Sequence, residues 1–326
     1  MKQRILVLGA SGFIGRRLFR ALATSDWASP VAGSRRTMDS PGRGMDEPSS
    51  IRVDATNPGQ VERALKGISG VVNCVAGNPE TIVNSARALF AAAASQPIAP
   101  TIVHLSSMAI YGSTTGDVDE SASSSRERSA YGEAKYRAEQ FAASYPNSVV
   151  LRPGIVYGPE SSQWSARIAQ MLFARRLGDL GAGGDGYCNL VYVDDLVQAI
   201  IQSLRDPGVR GRTFNLSLPH PPTWNEYFML YAQALGAVPV KRIGARRLKI
   251  EAKVLAPPLK IAELLAGRIA PRLAPRIPQA IPNSLVGLFR QEIKLNASAA
   301  THDLDLRWTP LNDGLARTAA WYRASA

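Results

Sequence analysis

The chain has 326 residues, 45% of them hydrophobic and 20% charged, which suffices for one large or two modest domains with a substantial core. No apolar run approaches the ~20 residues of a membrane span, the run Ile5–Leu8 behind a basic start is too short for a signal-peptide core, and two cysteines, Cys74 and Cys188, make neither a disulfide framework nor a closed zinc site. A cytoplasmic protein without a metal is expected, and its 38 basic against 26 acidic residues, a net +12, favour an anionic partner; with no zinc-finger spacing or aromatic-rich pattern, nucleic acid is not expected.

Arg4–Leu8 is continuously apolar after its first residue and reads as a strand buried on both faces. Gly9, Ala10, Ser11, Gly12, Phe13, Ile14 and Gly15 follow at once, and Arg16–Leu22 has helical spacing. Strand, glycine-rich turn and helix come in the order that a dinucleotide pyrophosphate needs. Gly9 makes the turn, Gly12 admits the phosphates to the backbone, and Gly15 lets the helix pack on the strand. Ser11, Phe13 and Ile14 belong to the same cofactor loop. A second strand, Pro30–Gly33, then delivers Ser34, Arg35 and Arg36 to the place where an NAD enzyme offers a carboxylate to the ribose. Two guanidiniums and a hydroxyl suit a 2′-phosphate, which favours NADP over NAD; the alternative is a pair of solvated loop arginines.

Residues 37–50 have loop composition. A third strand ends at Arg52–Asp54, with Asp54 and Ala55 expected at the adenine. A short helix over 58–66 and a fourth strand over 70–77 come next. The small residues closing that strand, Val75, Ala76 and Gly77, leave room for a cofactor across the strand ends, and Cys74 reads as a core thiol. Residues 81–94 are an alanine-rich helix bearing Asn84, a weak candidate for a polar contact. The fifth strand, Thr101–Leu105, carries His104 as a core residue and brings Ser106 and Ser107 to the carboxyl edge, where open parallel sheets place their chemistry.

Tyr131 and Lys135 stand four residues apart, on one face of a helix. A phenol with a reference pKa of about 10 is a poor acid–base group at neutral pH. A neighbouring ammonium, and a nicotinamide cation beside the pair, would favour the phenolate and let it exchange a proton with a secondary alcohol or ketone.

Leu105–Gly112, Tyr131 with Lys135, Leu151–Pro159, Val191–Leu196 and Leu306–Pro310 with Gly314 and Leu315 together resemble the extended short-chain dehydrogenase/reductases, specifically the NAD-dependent epimerase/dehydratase family, over nearly the whole chain. The resemblance implies a doubly wound parallel α/β sheet (Rossmann) with a smaller, interwoven C-terminal substrate region. The expected division is 1–159, with 186–218 returning, for the cofactor, and 160–185 plus 219–326 for the substrate. It makes Tyr131 the acid–base residue, Lys135 its pKa-lowering partner that also holds the ribose, and Ser107 the serine on the substrate oxygen. Pro153, Gly154 and Ile155 correspond to the segment against the nicotinamide. Asp194 and Asp195 are expected to cap a helix from Leu196.

The departures narrow this. Relatives that perform 4,6-dehydration carry Thr-Asp-Glu where Ser106, Ser107 and Met108 stand, so that reaction is not expected. Cys188 occupies the place of an arginine that grips the diphosphate of nucleotide sugars, and an Arg-x-Gly-Asp pattern is broken around Arg290. Gln163, Trp164, Arg167 and Asn189 are candidate pocket residues. Thr223 and Glu226 form the capping-box pattern of a helix ended by Gly236. Residues 241–276 hold ten basic side chains against Glu251 and Glu263, and read equally as a solvated lid, the cover of a lipophilic pocket or a peripheral membrane contact. The expected activity is hydride transfer at a secondary alcohol or ketone of a small, sugar-type molecule. A sterol-like or lipid-linked alcohol and a non-catalytic NADP-binding regulator are the alternatives, and a homodimer stays open.

Overall fold

The computed structural model describes residues 2–35, 49–123, 127–269 and 279–325. Its strands are β1 (Gln3–Leu8), β2 (Ala28–Ser34), β3 (Ser49–Arg52), β4 (Gly70–Asn73), β5 (Thr101–Leu105), β6 (Gly116–Val118), β7 (Ser148–Pro153), β8 (Ile155–Tyr157), β9 (Leu190–Tyr192), β10 (Thr213–Leu216) and β11 (Ile293–Leu295). Its α-helices are α1 (Phe13–Ala23), α2 (Pro58–Ala64), α3 (Pro79–Ala94), α4 (Ala130–Ala143), α5 (Arg167–Phe173), α6 (Val193–Arg205), α7 (Trp224–Leu235), α8 (Ala245–Ile250), α9 (Ala256–Ile269), α10 (Asn283–Leu288), α11 (Ser298–Asp303) and α12 (Leu311–Ser325).

Seven strands form one sheet in the order β10-β7-β5-β4-β1-β2-β3, and every pairing in it is parallel. The alternation of side chains along each strand splits the apolar runs between the two faces. Ile5, Val7, Val72, Val103 and Val149 pack with Leu18 and Leu22 of α1 and Leu196 and Ile200 of α6. On the other face, Leu6, Leu8, Val71, Ile102 and Val150 meet Val61 of α2, Ile82 and Leu89 of α3 and Ala134 and Ala138 of α4. This is the doubly wound Rossmann arrangement, and its order reverses between β1 and β4, where ligands bind in such sheets.

A further core is aromatic. Trp224, Tyr227, Phe228 and Tyr231 of α7 are fully buried with Tyr157, Tyr192, Phe289 and Leu315, and the Trp224 and Phe289 rings stand 4.9 Å apart. Strands β8 and β9, which contribute Tyr157 and Tyr192 to this core, pair in parallel, as do β6 and β11, so distant stretches of chain are woven together. The capping box forms as the sequence predicts, with Glu226 N donating to Thr223 Oγ1 at 3.2 Å and Thr223 N to Glu226 Oε2 at 2.7 Å. Gly236 closes α7 at φ 76°.

Several boundaries differ from the sequence reading. β2 and α3 begin two residues earlier, α3 because Asn78 caps it, accepting Thr81 N at 2.8 Å. β4 ends at Asn73 instead of Gly77, β3 already contains Ser49 and Ser50, and α2 stops at Ala64. Asp194 and Asp195 do not cap a helix from Leu196. α6 starts at Val193 without a side-chain cap; Asp194 instead pairs with Arg17 at 2.6 Å, and Asp195 accepts Thr309 N and Oγ1 at 3.0 and 2.6 Å. Asp194 thus meets a charged donor and Asp195 a distant threonine, both remote in sequence. Among the described residues no helix is long and apolar enough to cross a membrane.

Candidate active site

The glycine loop closes β1 onto α1. Gly9 holds φ +79°, and a side chain on Gly15 would place its Cβ 2.3 Å from Gly9 O, so contact of helix and strand requires glycine there. Gly12 begins α1 with no side-chain cap, and the first turn holds no acidic residue. The leading N–H groups of an eleven-residue helix thus remain available to an anion.

A crevice of about 1070 Å³ opens from this loop. Gly12, Phe13, Ile14 and Gly15 form one end, Cys74, Val75, Ala76 and Gly77 the floor, and Pro153, Gly154 and Ile155 another wall, with Ser106, Ser107, Tyr131 and Lys135 among them. Gly9, Ser11, Ser34, Arg35, Asp54 and Ala55 stand outside it. Backbone bonds link their region to the loop: Gly9 N donates to Gly33 O at 3.0 Å and Val53 N to Ser34 O at 2.9 Å. Arg35 is exposed there, while Arg36 lies outside the described residues. Asp54 spends one oxygen on Thr56, accepting its N and Oγ1 at 2.9 and 2.8 Å, and that bonding holds its carboxyl below the usual range. A glycine cradle, an uncapped helix start and a long crevice fit a nicotinamide dinucleotide.

Ser107 begins a 3-10 turn, Met108–Tyr111, in extended conformation, and its Oγ accepts Ala109 N at 3.2 Å. The hydroxyl also lies near enough to the Tyr131 phenol to act against the rise in its proton affinity. α4 can approach this turn because its third residue is Gly132; a Cβ there would stand 2.2 Å from Ala109 O. One turn further, Lys135 is 4% exposed and donates to Leu105 O at 2.6 Å. Tyr131, by contrast, keeps 42% of its surface open to the crevice, so a substrate oxygen can reach it.

The electrostatics differ from the sequence-based expectation. Burial brings the Lys135 ammonium down to about 8 and raises the Tyr131 phenol above its ordinary value, against the nearby Ser107 hydroxyl, which lowers it. Lys135 lies 5.9 Å from the Tyr131 ring centre, and its nearest tie is to a carbonyl. In the cofactor-free protein the phenol is therefore protonated at neutral pH. Beneath it, burial lowers His104 to about 3 and raises Cys74 to about 12, leaving both neutral. Cys74 packs partly buried against the core, as expected, and also lines the crevice. His104 is buried with Nδ1 3.2 Å from Asn73 Nδ2, and its Nε2 and the Ser106 hydroxyl have no hydrogen-bond partner.

Other candidates separate. Gln163 and Trp164 line the crevice. Asn84 is partly buried along α3 and absent from the crevice lining. Arg167 donates to Ala280 O, and Asn189 is fully buried, bonding Ile293 O at 2.9 Å and Leu295 N at 2.8 Å; neither faces the crevice. Its far wall comes from two segments that carry no local motif. Pairing of β6 with β11 sets Arg290, Gln291 and Glu292 beside Gly112–Thr115, with Gln291 Nε2 donating to Gly112 O at 2.9 Å. Only Arg290 of that group was legible beforehand. Among the described residues no group of three or more His, Cys, Asp or Glu is placed to hold a metal.

A model of the NAD dependent epimerase/dehydratase family matches residues 5–217. Solved structures share the fold. A UDP-glucuronic acid 4-epimerase from Bacillus cereus, in complex with UDP-glucuronic acid and NAD, aligns with a TM-score of 0.73 at 18% identity, covering 99% of this chain and 100% of that one. MoeE5 in complex with UDP-glucose and NAD gives 0.72 at 21%, covering 99% of both chains. A dTDP-glucose 4,6-dehydratase from Bacillus anthracis, in complex with NAD, gives 0.73 at 18%, covering 99% and 97%. Among curated proteins none matches the sequence.

Proposed function

The chain belongs to the NAD dependent epimerase/dehydratase family, and from that we propose that it is an NAD(P)-dependent oxidoreductase or epimerase acting at a secondary alcohol or ketone carbon of a sugar-type substrate. The observation that carries this reading is the meeting of Ser107, Tyr131 and Lys135 in one crevice with the glycine loop. Structural relatives that hold UDP-glucuronic acid or UDP-glucose support a sugar. Arg290, on the crevice wall, is the side chain of this chain suited to an anionic substituent on it.

A bound nicotinamide dinucleotide supplies or accepts the hydride. Toward reduction, Tyr131 enters protonated and gives its phenolic proton to the carbonyl oxygen, which Ser107 Oγ holds. Toward oxidation, the phenol must first ionise; the Lys135 ammonium and a cationic ring in the crevice both favour the phenolate. Lys135 retains that charge below about pH 8. The regions 160–185 and 219–326 shape the substrate end, and 1–159 with 186–218 holds the cofactor.

For the cofactor, the reading favours NADP, because Ser34 ends β2 and Arg35 follows it where a carboxylate would serve NAD. The test pairs two measurements. Mass spectrometry of the purified protein identifies any retained dinucleotide, and turnover is followed on a panel of UDP- and dTDP-sugars. Retained NADP and turnover that falls by about 10² or more in Tyr131→Phe, with cofactor binding intact, support the proposal. Retained NAD defeats the arginine argument, and a fully active Tyr131→Phe protein defeats the catalytic assignment.

A further inference from the structure

From Lys241 to Ile269 the chain carries eight basic residues against Glu251 and Glu263. α8, a π-turn at Glu251–Leu255 and α9 follow one another without a break. The inner side of this run is Leu248, Glu251, Ala252 and Ala256, each at most 5% exposed. Glu251 faces inward, where Arg176 Nε stands 3.2 Å from its carboxylate and takes up its charge. The outer side has a different composition. Ile250, Val254, Leu255, Ile261 and Leu265 are 53, 61, 41, 59 and 50% exposed. Single exposed apolar residues are ordinary, whereas five large ones on one helical run mark an interaction surface. Exposed Arg246, Lys249, Lys253 and Lys260 flank them.

We propose that this face seats on the surface of an anionic lipid bilayer, with the apolar side chains entering the headgroup boundary and the basic ones meeting lipid phosphates. Apolar residues bordered by lysine and arginine are what an interfacial helix requires. A second copy of the chain fits the face poorly, since it would bring the same cations together between two molecules of net charge +12. The position of the face bears on function. Gly244 and Ala245, where α8 starts, line a pocket of about 550 Å³ that shares Arg290 and Glu292 with the crevice. Seating therefore holds that end of the active site close to the bilayer, whichever substrate it takes.

The test is co-sedimentation of the full chain with phosphatidylcholine vesicles, with and without phosphatidylserine, at low and high salt. Binding to the anionic vesicles alone, weakened by salt, is expected. The Ile250→Ser/Val254→Ser/Ile261→Ser protein and the Lys249→Glu/Lys253→Glu protein should each bind about tenfold less, with unchanged melting and cofactor binding. A Val254→Trp protein gives an independent reading, since its emission should shift to the blue and be quenched by brominated lipid. Three results overturn the proposal: no sedimentation of the unmodified protein, undiminished binding by the triple variant without tryptophan quenching, or a dimer in light scattering that the triple variant dissolves while vesicles bind neither protein.

Discussion

Lys135 holds its ammonium 2.6 Å from Leu105 O at the bottom of the crevice, and burial brings its proton affinity down from 10.5 to about 8. Between those values the unfolded chain binds a proton that the native chain has released, so this group's contribution to stability rises as pH increases through the window from about 8 to 10.5. An NMR titration of labelled lysine side chains, with Lys135→Met identifying the signal, should find one midpoint near 8 and the exposed lysines near their usual value; a midpoint at the usual value would remove the electrostatic picture of the site. That Tyr131, Lys135 and Ser107 line one crevice was legible because Tyr131 and Lys135 share one helix face and Ser107 follows a strand end. Asp194 and Asp195 were not, because Arg17 and Thr309, which hold them, lie far away in sequence. Asn189 was misread for a similar reason, since its amide serves the backbone of β11.

Two elements fix the site's dimensions. α1 starts close against the turn after β1 at Gly15, and Gly15→Ala would force a Cβ to within 2.3 Å of the Gly9 carbonyl oxygen. That substitution should lower stability by about 1–3 kcal/mol, the usual cost of overpacking, and weaken dinucleotide binding more than it slows turnover of bound cofactor; calorimetry and equilibrium titration read the two effects. α4 is fastened to β7 by Arg152, whose Nη2 lies 2.7 Å from Glu139, one turn beyond Lys135. Both side chains are nearly buried, so Arg152→Met leaves a carboxylate unpaired and should cost about 3–5 kcal/mol, whereas replacing the pair together costs far less. A double-mutant cycle by chemical denaturation checks this, and additive single effects would contradict it. The glycine loop and the α7 capping box could be read from sequence because each signal lies within a few residues, whereas strand ends such as that of β4, at Asn73 instead of Gly77, could not. The β6–β11 pairing could not, since its partners join Gly116 to Ile293 and neither strand exceeds three residues.

Across the whole molecule, the order β10-β7-β5-β4-β1-β2-β3 puts the glycine loop at the reversal between β1 and β4, and β5 delivers Ser107 next to it. Trp164 and Leu288, which line the crevice, pack against the aromatic core around Trp224. The sheet was readable as a succession of apolar runs and helices, while the substrate side was not, because its walls come from segments separated by more than a hundred residues. In this architecture burial keeps the Tyr131 phenol above its ordinary value, and the proposed proton transfer requires positive charge entering the crevice to favour its phenolate. The direct measurement is the pH-dependent tyrosinate absorbance of the protein with and without oxidised NADP, compared with Tyr131→Phe. Oxidised NADP should shift one tyrosine's ionisation toward neutral pH in the unmodified protein, and the shift should vanish in the variant. An unchanged titration on binding the oxidised cofactor, or the same shift in Tyr131→Phe, would contradict a proton transfer by this residue.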